Sequence, residues 1–494
     1  MHNRILNYSI IGKIMILVGI LVLAPVIIIP FFPKDIIYLK DFLYPSIISI
    51  ILGLIICRIN LHKSKKGYFS WKKSSEISYL IVILAWIWGI FIGAIPFIMG
   101  GYLNFIQAIF ESVSAWTTTG LSVMDVSKTA HIFLFHRSFM QYCGGFGFML
   151  MMVMLVSGKQ SMQLFNAEGH PDKLMPNLKK TSRLIIVMYN IFLVLGTFAY
   201  KIGGMNYFDG ITHTMCALST GGFSTKLNSI GYFNSFYINL VTIVLMIIGT
   251  TNFAVILLLL KGKVKKFLNV SEVKFMFLFM SLSTILVAWS VSDHLNIKFI
   301  DALKSTSVDV ISAISTTGFS TMSYSKWPQF SIGLMIVLMI IGGGLGSTAG
   351  GIKIQRACIL SKIAVNSIKA RINTENFVDN IYIVKAQGKV RIDEKLEKET
   401  VGFALCYLLF FITGTLLISL TAKSSITNAM FEFSSALSTV GLSIGITGPN
   451  TNSLTLIIEI LGMFFGRLEI LVVLAGIHSV FNIALRKKKS INNI

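Results

Sequence analysis

Four times along this chain the same short pattern recurs: an apolar residue, Ser or Thr, Thr, a variable residue, Gly, Leu or Phe, Ser. The copies are Trp116-Thr117-Thr118-Thr119-Gly120-Leu121-Ser122, Leu218-Ser219-Thr220-Gly221-Gly222-Phe223-Ser224, Ile314-Ser315-Thr316-Thr317-Gly318-Phe319-Ser320 and Leu437-Ser438-Thr439-Val440-Gly441-Leu442-Ser443. A single Ser-Thr-Gly triplet is ordinary turn material. Here the glycines stand 102, 96 and 123 residues apart, and each copy follows a short semi-apolar stretch set between two long apolar ones. Recurrence of that kind marks one structural unit used four times.

The medium is a bilayer. With 54% hydrophobic and 13% charged residues and a mean hydropathy of +0.75, the chain is too apolar to face water on all sides. Runs such as Ile14–Ile29, Leu80–Met99 and Leu240–Leu260 reach the length that crosses the hydrocarbon core. Arg4 and Lys13 precede the first run, but no small-residue cleavage site follows it, so it is expected to be a retained anchor rather than a signal peptide. The five cysteines, Cys57, Cys143, Cys216, Cys358 and Cys406, are scattered singly and indicate neither a disulfide framework nor a metal site.

A net charge of +22 would suggest nucleic acid in a soluble protein. The basic residues instead cluster between apolar runs, at Arg58–Lys73, Lys159–Arg183, Lys261–Lys274, Lys353–Arg391 and Arg486–Lys489. The positive-inside rule assigns these clusters and both termini to the cytoplasm. Each segment between neighbouring clusters then leaves and re-enters the cytoplasm, which requires an even number of spans. The expected fold is an all-α polytopic membrane protein with about ten spanning helices and four re-entrant pore helices, arranged with pseudo-four-fold symmetry around one pore. The boundaries read as an N-terminal two-helix segment (1–75) and four repeats at 76–180, 181–270, 271–398 and 399–494, with loops at 117–122, 219–224, 315–320 and 438–443.

Stripping water from a monovalent cation costs on the order of tens of kcal/mol unless other oxygens replace the shell. Backbone carbonyls replace it without adding net charge, so the ion is held and still leaves. Turning successive carbonyls to one axis takes unusual backbone angles, which glycine reaches at least steric cost. The expected ion-binding filter is Thr117, Thr118, Thr119 and Gly120; Ser219, Thr220, Gly221 and Gly222; Ser315, Thr316, Thr317 and Gly318; and Ser438, Thr439, Val440 and Gly441. Stretches such as Leu103–Ala115 and Asn428–Ala436 read as short re-entrant helices whose negative ends, aimed at the pore, favour a cation.

Nine residues before each glycine stands Glu111, His213, Asp309 or Glu432. Polar groups at that depth are costly and usually have a role. The simplest is to hydrogen-bond the loop from behind.

A second unusual stretch is Gly342-Gly343-Gly344-Leu345-Gly346-Ser347-Thr348-Ala349-Gly350-Gly351-Ile352-Lys353, which cannot hold a stable helix. Two nucleotide motifs nearly match. Gly344–Ala349 has the G-x-G-x-x-A spacing but follows a membrane run and lacks the distal acidic residue, and Gly346–Lys353 has an isoleucine before the lysine and no Ser or Thr after it. The favoured reading is a flexible loop below the filter that acts as a gate; close helix packing at small residues is the alternative. Arg467, in Gly466-Arg467-Leu468-Glu469 of the last spanning helix, is an intramembrane charge. Glu469, two residues away, points to another helix face. Arg467 is therefore expected to reach the glycine-rich loop or the cavity below the filter as a barrier to ions, with snorkelling to the interface as the simpler alternative.

Two other classes fit poorly. An organic-solute carrier with broken helices would show inverted-topology halves rather than four units of one orientation. An intramembrane enzyme would need a nucleophile beside a base, and none of the eight histidines forms such a set with Ser or Cys.

The four signatures, the Gly346–Lys353 stretch and Gly466-Arg467-Leu468-Glu469 together resemble the Trk/Ktr/HKT superfamily of potassium transporters over nearly the whole chain. The N-terminal two-helix segment looks like its TrkH/TrkG branch. So does the Gln141-x-x-Gly144-Gly145-x-Gly147 run followed by Met162-Gln163-Leu164-x-x-Ala167-Glu168. The resemblance implies potassium as the transported ion at the filter carbonyls and a homodimer in the bacterial cytoplasmic (inner) membrane, with a pore in each protomer. It also implies a gate at residues 342–353 and a cytoplasmic TrkA-type regulatory subunit that carries NAD(H) or ATP/ADP. No nucleotide site is expected in this chain. The basic loops after residues 157, 260 and 353 are the expected docking surfaces for that subunit and for anionic lipid. In the superfamily four filter glycines imply potassium over sodium. Gly221 departs from the Thr or Val of the other copies, and a sodium-permeable or cation-coupled symporter of the same fold is the alternative.

Overall fold

The computed structural model describes residues 5–63, 74–146, 178–372 and 381–478. Lys65, Lys66, Lys72, Lys73, Lys159, Lys173 and Arg486–Lys489 lie outside the described residues, as do Gly147 and the Met162–Glu168 run.

The chain is a polytopic helical membrane protein. Among the described residues, six helices are long and apolar enough to cross a bilayer, and two helix pairs bent at a short break reach that length only when each pair is taken together. The first two helices, Ile5–Leu23 and Leu39–Lys63, pack tightly on each other. A side chain on Gly12 would strike Gly53 O and Cys57 Sγ, so small residues set the approach. This pair is fastened to the first repeat by Trp88 Nε1 donating to Ser49 Oγ (3.0 Å) and Ile132 N donating to Asp35 Oδ2 (2.8 Å).

Each repeat begins with a long outer helix: Ser74–Met99, Leu178–Ile202, Ser271–Leu295 and Glu394–Ala422. On the last of these Leu405, Leu409, Ile412, Leu416 and Leu420 recur at three- and four-residue spacing and stay exposed, as a lipid-facing stripe requires. A pore helix follows each: Phe105–Trp116, Tyr207–Leu218, Phe299–Ser315 and Ile426–Leu437. Three start at a side-chain cap, Asn104 on Gln107 N, Asn206 on Asp209 N and Ser425 on Asn428 N, which satisfies orphan amides where the chain re-enters. Their last turns are buried on every side, which places them inside the bundle.

Two inner helices are broken where the sequence reads as a continuous span, at Leu240–Leu260 and in the last spanning helix. In the second repeat Phe236–Thr250 and Phe253–Leu260 meet at 116°, and in the fourth Ser453–Arg467 and Ile470–His478 meet at 97°. Extended backbone at Thr251 with Asn252 capping Ala254 N makes the first bend, and left-handed Glu469 makes the second. Arg467 is thus the last residue of a half-helix rather than an internal one. In the third repeat, helix Gln329–Ile341 stops at Gly342 (φ 69°), and the chain becomes helical again only at Ile354–Ile372.

Among the described residues, one element departs from the all-helical expectation. Strands Tyr382–Lys385 and Gly388–Arg391 form an antiparallel hairpin within the fourth basic loop. Ile383 and Ile392 bury against Ile359, and Val384 N donates to Ser271 Oγ (2.9 Å), pinning the hairpin to the start of an outer helix.

Candidate ion filter and the loop beneath it

Each pore helix runs straight into its Ser/Thr-Gly loop, and the loop backbone then alternates in handedness. Thr118, Thr220, Thr316 and Thr439 have φ of 56°, 51°, 55° and 52°, and Gly120, Gly222, Gly318 and Gly441 have φ of 99°, 71°, 90° and 96°. A β-branched residue in the left-handed region is a rare and strained arrangement that persists only where the surroundings enforce it. Alternation turns successive amides to one side of the chain and carbonyls to the other.

The amides face the pore helix. Thr119 N donates to Ser114 O (2.9 Å), Gly221 N to Cys216 O (2.8 Å), Thr317 N to Ser312 O (2.9 Å) and Val440 N to Ser435 O (2.8 Å). Gly120 N and Gly441 N each donate to a serine hydroxyl, Ser114 and Ser435, at 3.0 Å. The carbonyls of Thr119, Gly221, Thr317 and Val440 lie on the side of the neighbouring loop.

That side is shared. A Cβ on Gly120 would overlap Gly221 O; on Gly222, Thr317 O; on Gly318, Val440 O; and on Gly441, Thr119 O. The four loops therefore meet in a closed ring, first to second to third to fourth and back to the first. All sixteen residues expected in the filter lie in it, and the Ser, Thr and Val side chains are buried. The hydroxyls of Thr118 and Thr439 have no hydrogen-bond partner among the described residues.

The four residues nine positions upstream all clasp the segment leaving the loop. Glu111 accepts from Ser122 Oγ (2.9 Å) and Val123 N (3.1 Å), and His213 Nε2 pairs with Ser224 Oγ (2.9 Å). Asp309 accepts from Thr321 N (3.1 Å) and Tyr324 OH (2.7 Å), and Glu432 accepts from Ser443 Oγ (2.7 Å) and Ile444 N (3.0 Å). Sequence spacing missed Arg137, whose Nε lies 2.7 Å from Glu111 Oε1 with both groups buried. Breaking such a pair by removing one member costs roughly 3–5 kcal/mol.

The glycine-rich loop sits directly under this ring. Gly350 N donates to Thr316 Oγ1 (2.8 Å), Thr220 Oγ1 donates to Thr348 Oγ1 (3.0 Å), and a Cβ on Gly350 would overlap Ser438 O and Thr439 Oγ1. Gly344 N donates to Thr250 O (3.0 Å), Thr348 Oγ1 to Gly249 O (2.9 Å) and Ser347 Oγ to Gly344 O (2.6 Å). Gly343 lies against Thr250, while Gly342, Gly346, Gly351 and Lys353 all have positive φ. Two residues without a spacing signature hold Leu345: Glu272 Oε1 accepts from its amide (2.7 Å) and Asn252 Nδ2 donates to its carbonyl (2.6 Å). Arg467 reaches the loop. Its Nη1 donates to Thr348 O (2.5 Å) and its Nη2 to Gly144 O (2.6 Å), while Glu469 pairs with Arg356 (3.0 Å).

A family described as "TrkH: Cation transport protein" matches residues 47–478. This chain belongs to the TrkH family. An uncharacterized cation transporter of Methanocaldococcus jannaschii is 30% identical to it over 484 residues, covering 97% of this chain and 96% of that one. The Trk system potassium uptake protein TrkH of Salmonella typhimurium is 31% identical over 417 residues, covering 81% and 85%. The crystal structure of the potassium transporter TrkH from Vibrio parahaemolyticus matches with a TM-score of 0.81 at 26% identity, over 94% of this chain and 97% of that one.

Within this TrkH-family chain the second loop is the odd one, and Gln141 accounts for it. Gln141 Nε2 donates to Gly221 O (2.6 Å), and its Oε1 accepts from Phe223 N (3.2 Å), so one side chain grips the loop on both sides of Gly222. A Cβ on Gly221 would fall on that amide. Gly221 is not among the residues with positive φ, so space alone excludes Thr or Val there. Gly221→Thr is expected to lower the thermal stability of the purified protein, by about 1–3 kcal/mol for overpacking. Gln141→Ala clears the space, so the double variant recovers part of that loss, with a coupling of at least about 1 kcal/mol. Strictly additive losses in a thermal melt would contradict the contact.

Proposed function

We propose that this chain is the membrane subunit of a potassium-uptake system and passes dehydrated potassium ions through backbone carbonyls contributed by its four pore loops. The observation that carries this reading is the division of the loop backbone, with amides bonded back to the pore helices and the carbonyls of Thr119, Gly221, Thr317 and Val440 set against the neighbouring loop's glycine. Such a ring replaces a hydration shell without adding net charge, and four pore-helix C-termini add negative potential. The names of relatives point the same way, since those of Salmonella typhimurium and Escherichia coli are potassium uptake proteins.

In this reading residues 1–75 form the N-terminal unit, and the segments 76–180, 181–270, 271–398 and 399–494 each supply one loop. Glu111, His213, Asp309 and Glu432 brace the loops and do not touch the ion. The Gly342–Lys353 loop is the gate, because it lies under the ring and must withdraw before an ion moves on. Arg467 adds a fixed positive charge below the filter and holds the gate to Gly144. The protein works as a homodimer in the cytoplasmic membrane with its basic loops and termini inside. It catalyses no reaction and binds no nucleotide itself. A cytoplasmic TrkA-type subunit carrying NAD(H) or ATP/ADP acts on the gate through the basic loops after residues 157, 260 and 353.

Expressed with its cytoplasmic partner in potassium-uptake-deficient bacteria, the intact chain is expected to restore growth on low-potassium medium, and Gly120→Asp to abolish it. A failure of the intact chain would reject potassium uptake. Gly318→Ser places a side chain against Val440 O and is expected to lower the preference for potassium over sodium, read from the reversal potential in proteoliposomes. Arg467→Ala removes both the charge and two hydrogen bonds to the gate region, so rubidium flux is expected to rise several-fold. Unchanged or reduced flux at normal expression would contradict the barrier role.

A further inference from the structure

The first and fourth loops are braced in equivalent places by residues of opposite charge. Helices His131–Gly145 and Ser453–Arg467 correspond, because a Cβ on Gly144 would strike Trp116 O and one on Gly466 would strike Leu437 O, each the last residue of a pore helix. Seven residues before these glycines, two turns along the same face, stand Arg137 and Glu459. In the first repeat a guanidinium therefore meets Glu111. In the fourth a second carboxyl group meets Glu432.

Both acids are fully buried, at 0% exposure. Glu432 is saturated with donors: Ser443 Oγ (2.7 Å), Ile444 N (3.0 Å), Thr447 N (3.0 Å) and Thr447 Oγ1. Glu459 Oε1 lies 2.9 Å from the same Thr447 hydroxyl, and its Oε2 has no hydrogen-bond partner among the described residues. One hydroxyl carries one proton and cannot serve two carboxylates fully. If Glu459 were ionised, it would be a buried anion with a bare oxygen beside another buried anion. A protonated Glu459 can donate to Thr447 Oγ1, which leaves that hydroxyl free to donate to Glu432.

The packed neighbours supply no compensating cation among the described residues. On the first pore helix the ionisable group is Glu111, engaged with Arg137. The outer helix Glu394–Ala422 presents Tyr407, bonded to Ser438, and ends at exposed Lys423. Tyr324, packed on Phe431, is bonded to Asp309, and helix Gln329–Ile341 has no ionisable residue. Arg467 lies two turns along from Glu459 and is engaged with Thr348 O and Gly144 O.

We propose that Glu432 and Glu459 form a proton-binding site behind the fourth filter loop, with one proton held between two carboxyl groups and resident on Glu459. Its effect on transport rests on reading the loops as an ion filter. Glu432 clasps Ser443, Ile444 and Thr447, the segment that leaves Gly441, and that segment opens to solvent at exposed Gly445, Pro449 and Asn450. Removing the proton sets two anions against one hydroxyl and loosens the clasp, so ion flux falls as external pH rises.

Glu459→Gln keeps the shape and supplies an amide donor to Thr447 without titrating. In proteoliposomes, rubidium flux through the intact chain is expected to fall several-fold as external pH is raised from about 6 to about 9, while the variant stays level. Superimposable pH profiles would overturn the proposal. Infrared spectroscopy of the purified protein reads the proton without any flux. The intact chain should show a protonated-carboxyl band at neutral pH that is absent from Glu459→Gln, and an unchanged band in the variant would overturn the site. Loss of the band in a protein that carries no rubidium would support the proton site and reject the filter reading.

Discussion

The structure depends on a contact that only glycine permits. At each seam of the ring, the carbonyl of Thr119, Gly221, Thr317 or Val440 occupies the space where the adjacent loop's glycine would carry a Cβ. The loops therefore fix one another, since displacing any one opens or closes two seams. Four short helices, four upstream polar residues and the amides of the loops themselves are committed to holding that mutual fit. In return the backbone accepts threonine in a left-handed conformation four times, a strain of order 1–3 kcal/mol each that the surrounding hydrogen bonds offset.

Uniform backbone is combined with varied bracing. A carboxylate with a guanidinium, a histidine with a serine, an aspartate with a threonine and a tyrosine, and a carboxyl pair around Thr447 all perform the same mechanical task. At every seam of the ring the glycine meets a carbonyl oxygen, so differences behind the loops alter stiffness more than chemistry. Gln141 is the exception. It bonds directly to a ring carbonyl, Gly221 O, and so acts on one of the oxygens of the proposed filter.

The ring was legible because its residues are close in sequence and repeated four times. Local pattern sufficed for the loops, for the pore helices and for the interruption at Gly342–Lys353. The features that escaped notice link segments far apart in the chain. Gln141 and Gly221 are 80 residues apart, and Arg467 and Gly144 are 323 apart, so no spacing announces them. The bends near Thr251 and Leu468 carry no proline and arise from an asparagine cap and a left-handed glutamate, which leave a weak trace in an apolar run. The hairpin at Tyr382–Arg391 was hidden for a different reason: its lysines and arginine read as a basic loop, while Ile383 and Ile392, which fold it onto Ile359, are too few to show a period.

The loop beneath the ring is held by many modest contacts rather than one strong one. Thr220 to Thr348, Gly350 to Thr316 and Gly344 to Thr250 are single neutral hydrogen bonds, each worth about 0.5–1.5 kcal/mol net, and Leu345 N to the Glu272 carboxylate is charge-assisted at about 1.5–3 kcal/mol. Arg467 adds two charge-assisted bonds of about 1.5–3 kcal/mol each. In the gating we propose, water entering as the loop withdraws replaces part of that loss. The net cost of that proposed opening is on the order of several kcal/mol, within the range that differential binding of a ligand can supply. The loop's glycines contribute by imposing no side-chain packing that would have to be undone, which suits the gating role proposed for them.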